Sequence, residues 1–263
     1  MSQKQKWLSF MSIAFGLFTA VMDASMIGIA LPSISKDFSL DLSSAAWISL
    51  VSTITVVAVL LPMGNISDRV GRKKIYLYGV IIMAAGSLFS SFSNEIVSLL
   101  IFRIIVSIGA AMRMSTGLAM VMMIFKDKER GKGLGANTTT VGLAAITGPI
   151  FGGFLVGNFG WESIFITQAL LSLPTYLLGF YFLNKDVVDS NHNQRKGNFD
   201  FIGSIISAIA FSVLLFTINY GLVNMSTLVI SFSFLISMLL FILFIYAETK
   251  ADHPILNVIL LKN

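Results

Sequence analysis

The sequence predicts an all-α integral membrane protein with about eight membrane-spanning helices and both chain ends in the cytoplasm. Of its 263 residues, 56% are hydrophobic and only 12% are charged, whereas soluble domains carry about 25% charged residues. The apolar residues fall in long uncharged runs, and the basic residues collect in alternate segments between those runs. This composition disfavours a soluble enzyme, a nucleic-acid-binding protein and a disordered chain.

Eight uncharged runs are candidates for membrane spans, since a helix needs about 20 mostly apolar residues to cross the hydrocarbon core. In chain order they are Leu8–Ala30, Ala46–Leu61, Ile75–Phe92, Ile96–Phe125, Leu134–Val156, Ile164–Leu183, Phe201–Val223 and Leu228–Tyr246. The first run is too long for the apolar region of a cleaved signal peptide, and no small-residue cleavage site follows it. The polar segments between the runs are short, so we expect neighbouring spans to be antiparallel.

The lysine and arginine residues predict the orientation, because cytoplasmic segments of membrane proteins are enriched in them. Fifteen of the 18 lie on the side of both termini, and only Lys36 lies on the opposite side. Arg103 and Arg113 are inside the fourth run. This asymmetry predicts a multi-pass protein of the cell membrane with cytoplasmic ends. The basic charge therefore indicates topology rather than affinity for nucleic acid.

The polar segments divide the chain into four predicted parts. Residues 1–183 form a six-span bundle, and 184–200 form a cytoplasmic linker. Residues 201–246 supply two additional spans, and 247–263 form a cytoplasmic tail.

Several kinds of chemistry lack the residues they require. The chain has no cysteine, so it has no disulfide, thiolate nucleophile or thiolate metal site. Its two histidines, His192 and His253, lie far apart in polar stretches, where solvated side chains are expected. No phosphate-binding loop of the G-x-x-x-x-G-K-[ST] type is present. We therefore predict no enzyme activity, no metal and no bound cofactor.

Asp23 and Arg103 are ionisable residues well inside predicted spans, where charge is costly and usually marks a functional pathway. Asp23 precedes the outer end of the first run by seven residues, and Arg103 follows the outer start of the fourth run by seven. At ~1.5 Å per residue, both lie about 10 Å below the outer boundary. Two interpretations stay open: a pair that separates when a proton binds, or a static ion pair that joins two helices.

Arg113 lies about 15 Å deeper along the same helix than Arg103. It either faces a water-filled cavity, where it would attract an anionic or polar group of a substrate, or snorkels toward the cytoplasmic surface. Asn137 and Gln168 are further polar residues inside spans. They are candidates for the same cavity or for interhelical hydrogen bonds.

Three stretches form recognisable motifs. The first is the loop Gly64–Lys74 between the second and third runs, where Asp68 can cap a helix or pair with an arginine. The second lies on the fifth run, and the third is Asp23–Pro32 at the end of the first run. The small residues and proline of the fifth run are Gly135, Ala144, Gly148, Pro149, Gly152 and Gly153.

Together these motifs resemble the major facilitator superfamily, and most closely its 14-span drug–proton antiporters. The loop is similar to the superfamily's signature loop, which acts as a conformational switch. Its matching residues are Gly64, Asp68, Arg69, Gly71, Arg72 and Lys73. The fifth run is similar to the antiporter motif that marks exporters, with Ala144 in place of one glycine. The resemblance implies efflux of a drug or other small molecule against inward proton flow, with Asp23 as the proton-linked carboxylate and Arg103 as its partner.

The fourth run departs from the family pattern. Val106 and Ser107 replace the usual glutamine and glycine, and Ser115 stands where proline is common. Arg113 occupies a position that is usually apolar, which fits poorly with cationic drugs as cargo.

The resemblance also implies a second half, because such carriers have six spans, two linker spans and six more. This chain reaches only the start of the ninth span. We expect the N-terminal portion of a transporter, whose partners are the lipid bilayer, a small-molecule substrate and a missing C-terminal half. The alternatives are a truncated non-transporting subunit, or a half-carrier that works as a homodimer.

Overall fold

The computed structural model describes residues 2–189, 201–221 and 226–250, which fold into helices joined by short turns. The α-helices are α1 Gln3–Asp37, α2 Leu42–Ala45, α3 Trp47–Val70, α4 Arg72–Ser90, α5 Ile96–Ile124, α6 Arg130–Phe159, α7 Glu162–Phe182, α8 Lys185–Val188, α9 Phe201–Phe216 and α10 Thr227–Lys250. A 3-10 turn over Asp127–Glu129 precedes α6, and a π-helical turn over Thr217–Gly221 follows α9. The predicted all-α class is confirmed.

Six stretches of the described chain are long and apolar enough to cross a membrane: α1, Leu42–Val70, α5, α6, α7 and Thr227–Thr249 of α10. The two other predicted spans correspond to α4, which has 19 residues, and to α9, a shorter apolar helix. Helix α4 opens with three cationic residues, Arg72–Lys74, and α9 has only 16 residues before the π-helical turn. Each of the eight predicted runs thus corresponds to a helix, and six of the helices meet the full length and hydropathy requirement.

The helices extend beyond the uncharged runs into polar sequence. Helix α1 begins after a capping box formed by Ser2 and Gln5, which satisfies free backbone donors of its first turn. It continues through Pro32 to Asp37, so its predicted end at Ala30 is too early. Of the predicted linker 184–200 and tail 247–263, the parts 190–200 and 251–263 lie outside the described residues.

Helix α1 lies at the centre of the bundle, in contact with α5, α6 and α7. Helix α5 packs against α3 and α4, and α4 also packs against α7. Helices α9 and α10 pack against each other, and α9 joins the bundle through α3. One apolar core surrounds Met26 and Phe165 near the C-terminal half of α1, and another surrounds Ile13 and Tyr76 near its N-terminal half. The buried charged residues of the bundle are Asp23 on α1 and Arg103 and Arg113 on α5.

Candidate functional site

Asp23 on α1 and Arg103 on α5 form a buried ion pair. The Arg103 Nη2 donates to Asp23 Oδ2 at 3.0 Å, and Nη1 donates to Oδ1 at 3.4 Å. Asp23 is 3% exposed and Arg103 is 2% exposed. The two-point contact is the geometry in which an arginine binds a carboxylate most strongly. The equal depths derived from the sequence therefore correspond to a direct contact between the two side chains.

Two other helices hold Arg103 in place. Its Nε donates to the Ser52 hydroxyl oxygen of α3 at 3.3 Å. Its guanidinium carbon lies 5.6 Å from the centre of the Phe165 ring of α7, within range of a cation–π contact. Movement of α1, α3, α5 or α7 relative to the others would therefore change the surroundings of this one cation.

The ion pair borders a cavity of about 280 Å³ between α1, α3 and α5. The polar residues in its wall are Asp23, Ser25, Ser52, Thr53, Arg103 and Ser107. The remaining lining residues include Ala20, Val56 and Met114. The ion pair therefore borders an open space whose wall is mostly apolar.

Arg113 is 3% exposed and lies in the interior of the bundle, not snorkelling toward a helix end. Its Nη2 donates to the Gly16 carbonyl and, at 2.8 Å, to the Thr19 hydroxyl oxygen, both on α1. Its Nη1 contacts the Met83 Sδ of α4 at 2.8 Å, a weak acceptor. Its Nε is buried and has no acceptor among the described residues. No carboxylate is hydrogen-bonded to this guanidinium in the described part of the chain.

The other two polar candidates lie on either side of Arg113. Gln168 of α7 is fully buried, and its Nε2 contacts Met83 Sδ at 3.6 Å. Its Oε1 has no donor among the described residues. Asn137 of α6 lines a second cavity, of about 250 Å³, together with Arg113. Gln168 does not line that cavity. The structure therefore brings Asn137, but not Gln168, to the same cavity wall as Arg113.

The two cavities adjoin each other. Ala20 of α1 and Met114 of α5 are in the walls of both. Apart from Arg113, Tyr76 and Asn137, the second cavity is lined by small and apolar residues: Ile13, Leu17, Ala20, Leu60, Met114, Gly117, Leu118 and Val141. The space beside Arg113 and the space beside Asp23 therefore share part of their walls.

The predicted switch loop places its charges at the junction of α3 and α4. The carboxylate of Asp68 accepts two bonds from Arg72, at 2.7 and 3.0 Å, and Arg69 donates to Asn65 at 2.8 Å. Gly71 has a φ of 108°, a conformation that residues with a Cβ rarely adopt. Asp68 thus pairs with an arginine, and it is not the carboxylate that caps α4.

The cap of α4 is Asp189, a residue that sequence reasoning missed. Its Oδ1 accepts from the backbone N–H of Arg72 at 2.6 Å and from that of Lys73 at 3.4 Å. A carboxylate here satisfies free donors and complements the positive end of the helix dipole. Lys73 in turn donates to the carbonyls of Phe180 and Leu183, both at 2.7 Å. The end of α7 and the start of α4 are therefore fastened to each other.

Helix α6 lies close to α1 at two of its motif glycines. A Cβ added at Gly148 would lie 2.6 Å from Ser25 Cβ, and one at Gly152 would lie 2.9 Å from Met26 Cγ. Gly135 and Gly153 have open space at the same position. Pro149 lies within the helix. The contact places Gly148 two residues along α1 from Asp23.

A polar contact at the other end of α1 fixes the turn before α6. Lys6 Nζ lies 2.7 Å from Glu129 Oε2, and the Gln3 amide donates to Glu129 Oε1 at 3.3 Å. The hydrogen bond from Lys6, and to a smaller extent the one from Gln3, holds the pKa of Glu129 below its ordinary value.

Among the described residues, no three histidine, cysteine, aspartate or glutamate side chains form a group that could hold a metal ion.

Comparison with known proteins identifies several transporters. The Major Facilitator Superfamily model matches residues 13–261. The riboflavin transporter RibZ of Clostridioides difficile is 32% identical over 260 residues, covering 99% of this chain and 55% of that protein. The multidrug transporter MdtP of Bacillus subtilis is 27% identical, covering 99% of this chain and 48% of that protein.

A solved structure shares the fold. It is that of a bacterial homolog of the human lysosomal transporter Spinster, in an inward-facing, unoccupied conformation. The match has a TM-score of 0.58 and 19% identity, and it covers 70% of this chain and 44% of that one. The chain spans about half the length of the curated relatives it matches.

Proposed function

This chain belongs to the Major Facilitator Superfamily, and from that premise we propose that it forms the N-terminal part of a proton-coupled antiporter that exports small molecules. Its relatives make it a multi-pass membrane transporter and not an enzyme. The observation that carries the proposal is the buried Asp23–Arg103 pair beside a cavity. A purely structural helix contact is formed more readily with small residues than with two buried charges.

The proposed coupling rests on competition for one carboxylate. When Asp23 is ionised, Arg103 holds it through two hydrogen bonds. A proton on Asp23 removes its negative charge and weakens that contact. Arg103 then keeps its hydrogen bond to Ser52 and its cation–π contact with Phe165. Because those contacts come from different helices, protonation changes which helices Arg103 holds together. Proton binding is thereby linked to helix rearrangement, as antiport requires.

We place the substrate in the cavity lined by Arg113 and Asn137. This cavity and the one at the ion pair share Ala20 and Met114. A bound molecule would press on α1 and α5, the two helices that carry Asp23 and Arg103. The adjoining position supports the coupling of substrate binding to proton release.

Export, rather than import, is supported by the antiporter-type sequence of α6 and by the multidrug transporters among the relatives. The close contact of Gly148 and Gly152 with α1 links this helix to the Asp23 segment. The Asp68–Arg72 pair at the α3–α4 junction is the proposed conformational switch. The complete cycle requires a second half, which we propose to be a C-terminal bundle or a second copy of this chain.

The test is transport driven by a pH gradient in proteoliposomes. Riboflavin serves as the first candidate substrate because the relative at 32% identity is a riboflavin transporter, and ethidium serves as a cationic drug for comparison. The 263-residue chain is compared with the full reading frame that encodes it. We expect a proton gradient to drive uptake of one probe in the wild type and not in Asp23→Asn.

The control is Glu95→Gln, which neutralises an exposed carboxylate just before α5. This variant should transport like the wild type. Gradient-driven transport that persists in Asp23→Asn would contradict the proposed coupling site. Transport by the 263-residue chain without further sequence would favour a homodimeric carrier.

A further inference from the structure

The geometry points to a negatively charged group on the substrate, bound at Arg113 and attached to an apolar body; this inference rests on the proposal that the Arg113 cavity is the substrate site. Four charged residues are buried in the described part of the chain: Asp23, Arg103, Arg113 and Glu248. Glu248 lies near the end of α10, which packs against α9 and is not one of the bundle helices α1 and α3–α7. The bundle interior therefore contains two cations and one anion.

The one buried anion in that interior is already engaged. Both oxygens of Asp23 are bound by Arg103. Arg113 is left with a carbonyl, the hydroxyls of Thr19 and Tyr76 and a sulfur, none of which carries a full negative charge. A buried cation without a counter-charge is costly. An anionic ligand would supply the missing charge.

Unsatisfied polar atoms mark where such a group would bind. Arg113 Nε is buried without an acceptor, and its Nη1 has the weak acceptor Met83 Sδ. Arginine recognises carboxylates and related anions through pairs of such donors. The donors are on a side chain that borders the cavity, so an anion that enters the cavity lies beside Arg113.

The rest of the cavity defines the body of the ligand. Most of its lining is aliphatic, including Leu17, Leu60, Leu118 and Val141, and Tyr76 adds an aromatic ring. The Tyr76 hydroxyl is engaged because it donates to the Ser12 carbonyl at 3.0 Å. An amphipathic organic anion fits this cavity, because its charged group would bind Arg113 and its apolar body would contact the aliphatic wall. A cationic drug would place a second positive charge against Arg113.

Three probes with the same ring system test this preference: 2-naphthoate, 2-naphthalenemethanol and 2-naphthylmethylammonium. Binding to the full reading frame that encodes this chain is measured by equilibrium dialysis in phosphatidylcholine nanodiscs, without a proton gradient. Empty nanodiscs give the background from partition into lipid. We expect naphthoate to bind at least about tenfold more tightly than the other two, the lower range for a charged hydrogen bond.

Two substitutions at Arg113 and one control substitution test whether Arg113 causes the preference for naphthoate. Arg113→Met should remove it, and Arg113→Lys should retain part of it because the charge remains. Lys128→Met removes one positive charge from an exposed position and should leave the ranking unchanged. A wild type that binds the ammonium or the alcohol as tightly as naphthoate overturns the inference, even if Arg113→Met does not fold. So does a folded Arg113→Met variant that still prefers naphthoate.

The result is independent of the proton-coupling proposal. Failure of gradient-driven transport together with tight naphthoate binding would refute antiport and keep the anion site. Driven transport with no preference for naphthoate would keep antiport and refute the anion site. Equal binding of the alcohol would also favour a neutral substrate such as riboflavin.

Discussion

Replacing Gly148 by alanine is expected to force α6 away from α1. The new Cβ would lie 2.6 Å from Ser25 Cβ and 3.2 Å from the Met22 carbonyl oxygen. Non-bonded carbon atoms are most favourably separated by about 3.5–4.0 Å, so the helices must separate by roughly 1 Å at this point. Neither neighbouring atom is the end of a flexible side chain, because one is a Cβ and the other is backbone.

The matched control is Gly153→Ala, since a Cβ at Gly153 meets open space. Both substitutions gain the same helix propensity, up to about 1 kcal/mol. Overpacking at Gly148 costs about 1–3 kcal/mol. The difference in the free energy of unfolding between the two variants should therefore be about 1–3 kcal/mol, with Gly148→Ala the less stable.

The assay is unfolding of the purified protein in mixed micelles of detergent and dodecyl sulfate, followed by circular dichroism. Gly153→Ala should be as stable as the wild type or slightly more stable. Equal unfolding free energies for the two variants would refute the close α1–α6 contact. Because Gly148 contacts α1 two residues from Asp23, Gly148→Ala should also weaken gradient-driven transport, whereas Gly153→Ala should not.

Three further predictions use the same unfolding assay. Asp189→Ala should lower the unfolding free energy by about 1 kcal/mol, the usual contribution of a helix N-cap, whereas Asp189→Asn, which keeps an acceptor, should lose less. Gly71→Ala should lower it by about 1–3 kcal/mol because alanine is strained at positive φ. Gly64→Ala, inside α3 with open space for a Cβ, should be as stable as the wild type or slightly more stable. Glu129→Gln should be less stable than the wild type at neutral pH. The pKa of Glu129 is lowered in the folded state, so its contact with Lys6 stabilises the protein above the ordinary pKa of 4.5. That contribution is lost as the pH falls through the lowered pKa, and the two proteins should then converge.

Each of these predictions has a contrary outcome. Wild-type stability of Asp189→Ala would mean that the carboxylate does not cap α4. Equal losses of unfolding free energy in Gly71→Ala and Gly64→Ala would mean that positive φ does not cause the destabilisation at Gly71. A difference between wild type and Glu129→Gln that is independent of pH would exclude ionisation of that carboxylate as its source.

The main features of the fold were predictable because membrane helices leave a strong signal in uncharged length. The equal depth of Asp23 and Arg103 was also predictable, whereas the contact between α1 and α5 that lets them pair came from the structure. The end of α1 was not predictable in this way. Hydropathy decreases after Ala30, but the backbone stays helical through Pro32.

Other features depend on contacts that one-dimensional patterns do not specify. Asp189 caps a helix 117 residues earlier in the chain, and nothing in its local sequence indicates that partner. The meeting of Arg113 and Gln168 at Met83 depends on how α4, α5 and α7 rotate about their axes. The spacing of Gly148 and Gly152, four residues apart on one helix face, was a usable signal for the α1 contact.

Proton coupling through Asp23 is tested most directly by comparing exchange with driven transport in the same proteoliposomes. Exchange of labelled for unlabelled substrate needs no net proton movement, whereas accumulation against a gradient does. We predict that Asp23→Asn still exchanges substrate but does not accumulate it under a pH gradient, and that Glu95→Gln does both. Accumulation by Asp23→Asn at the wild-type level would contradict the account, because the carboxylate paired with Arg103 would then not carry the coupled proton.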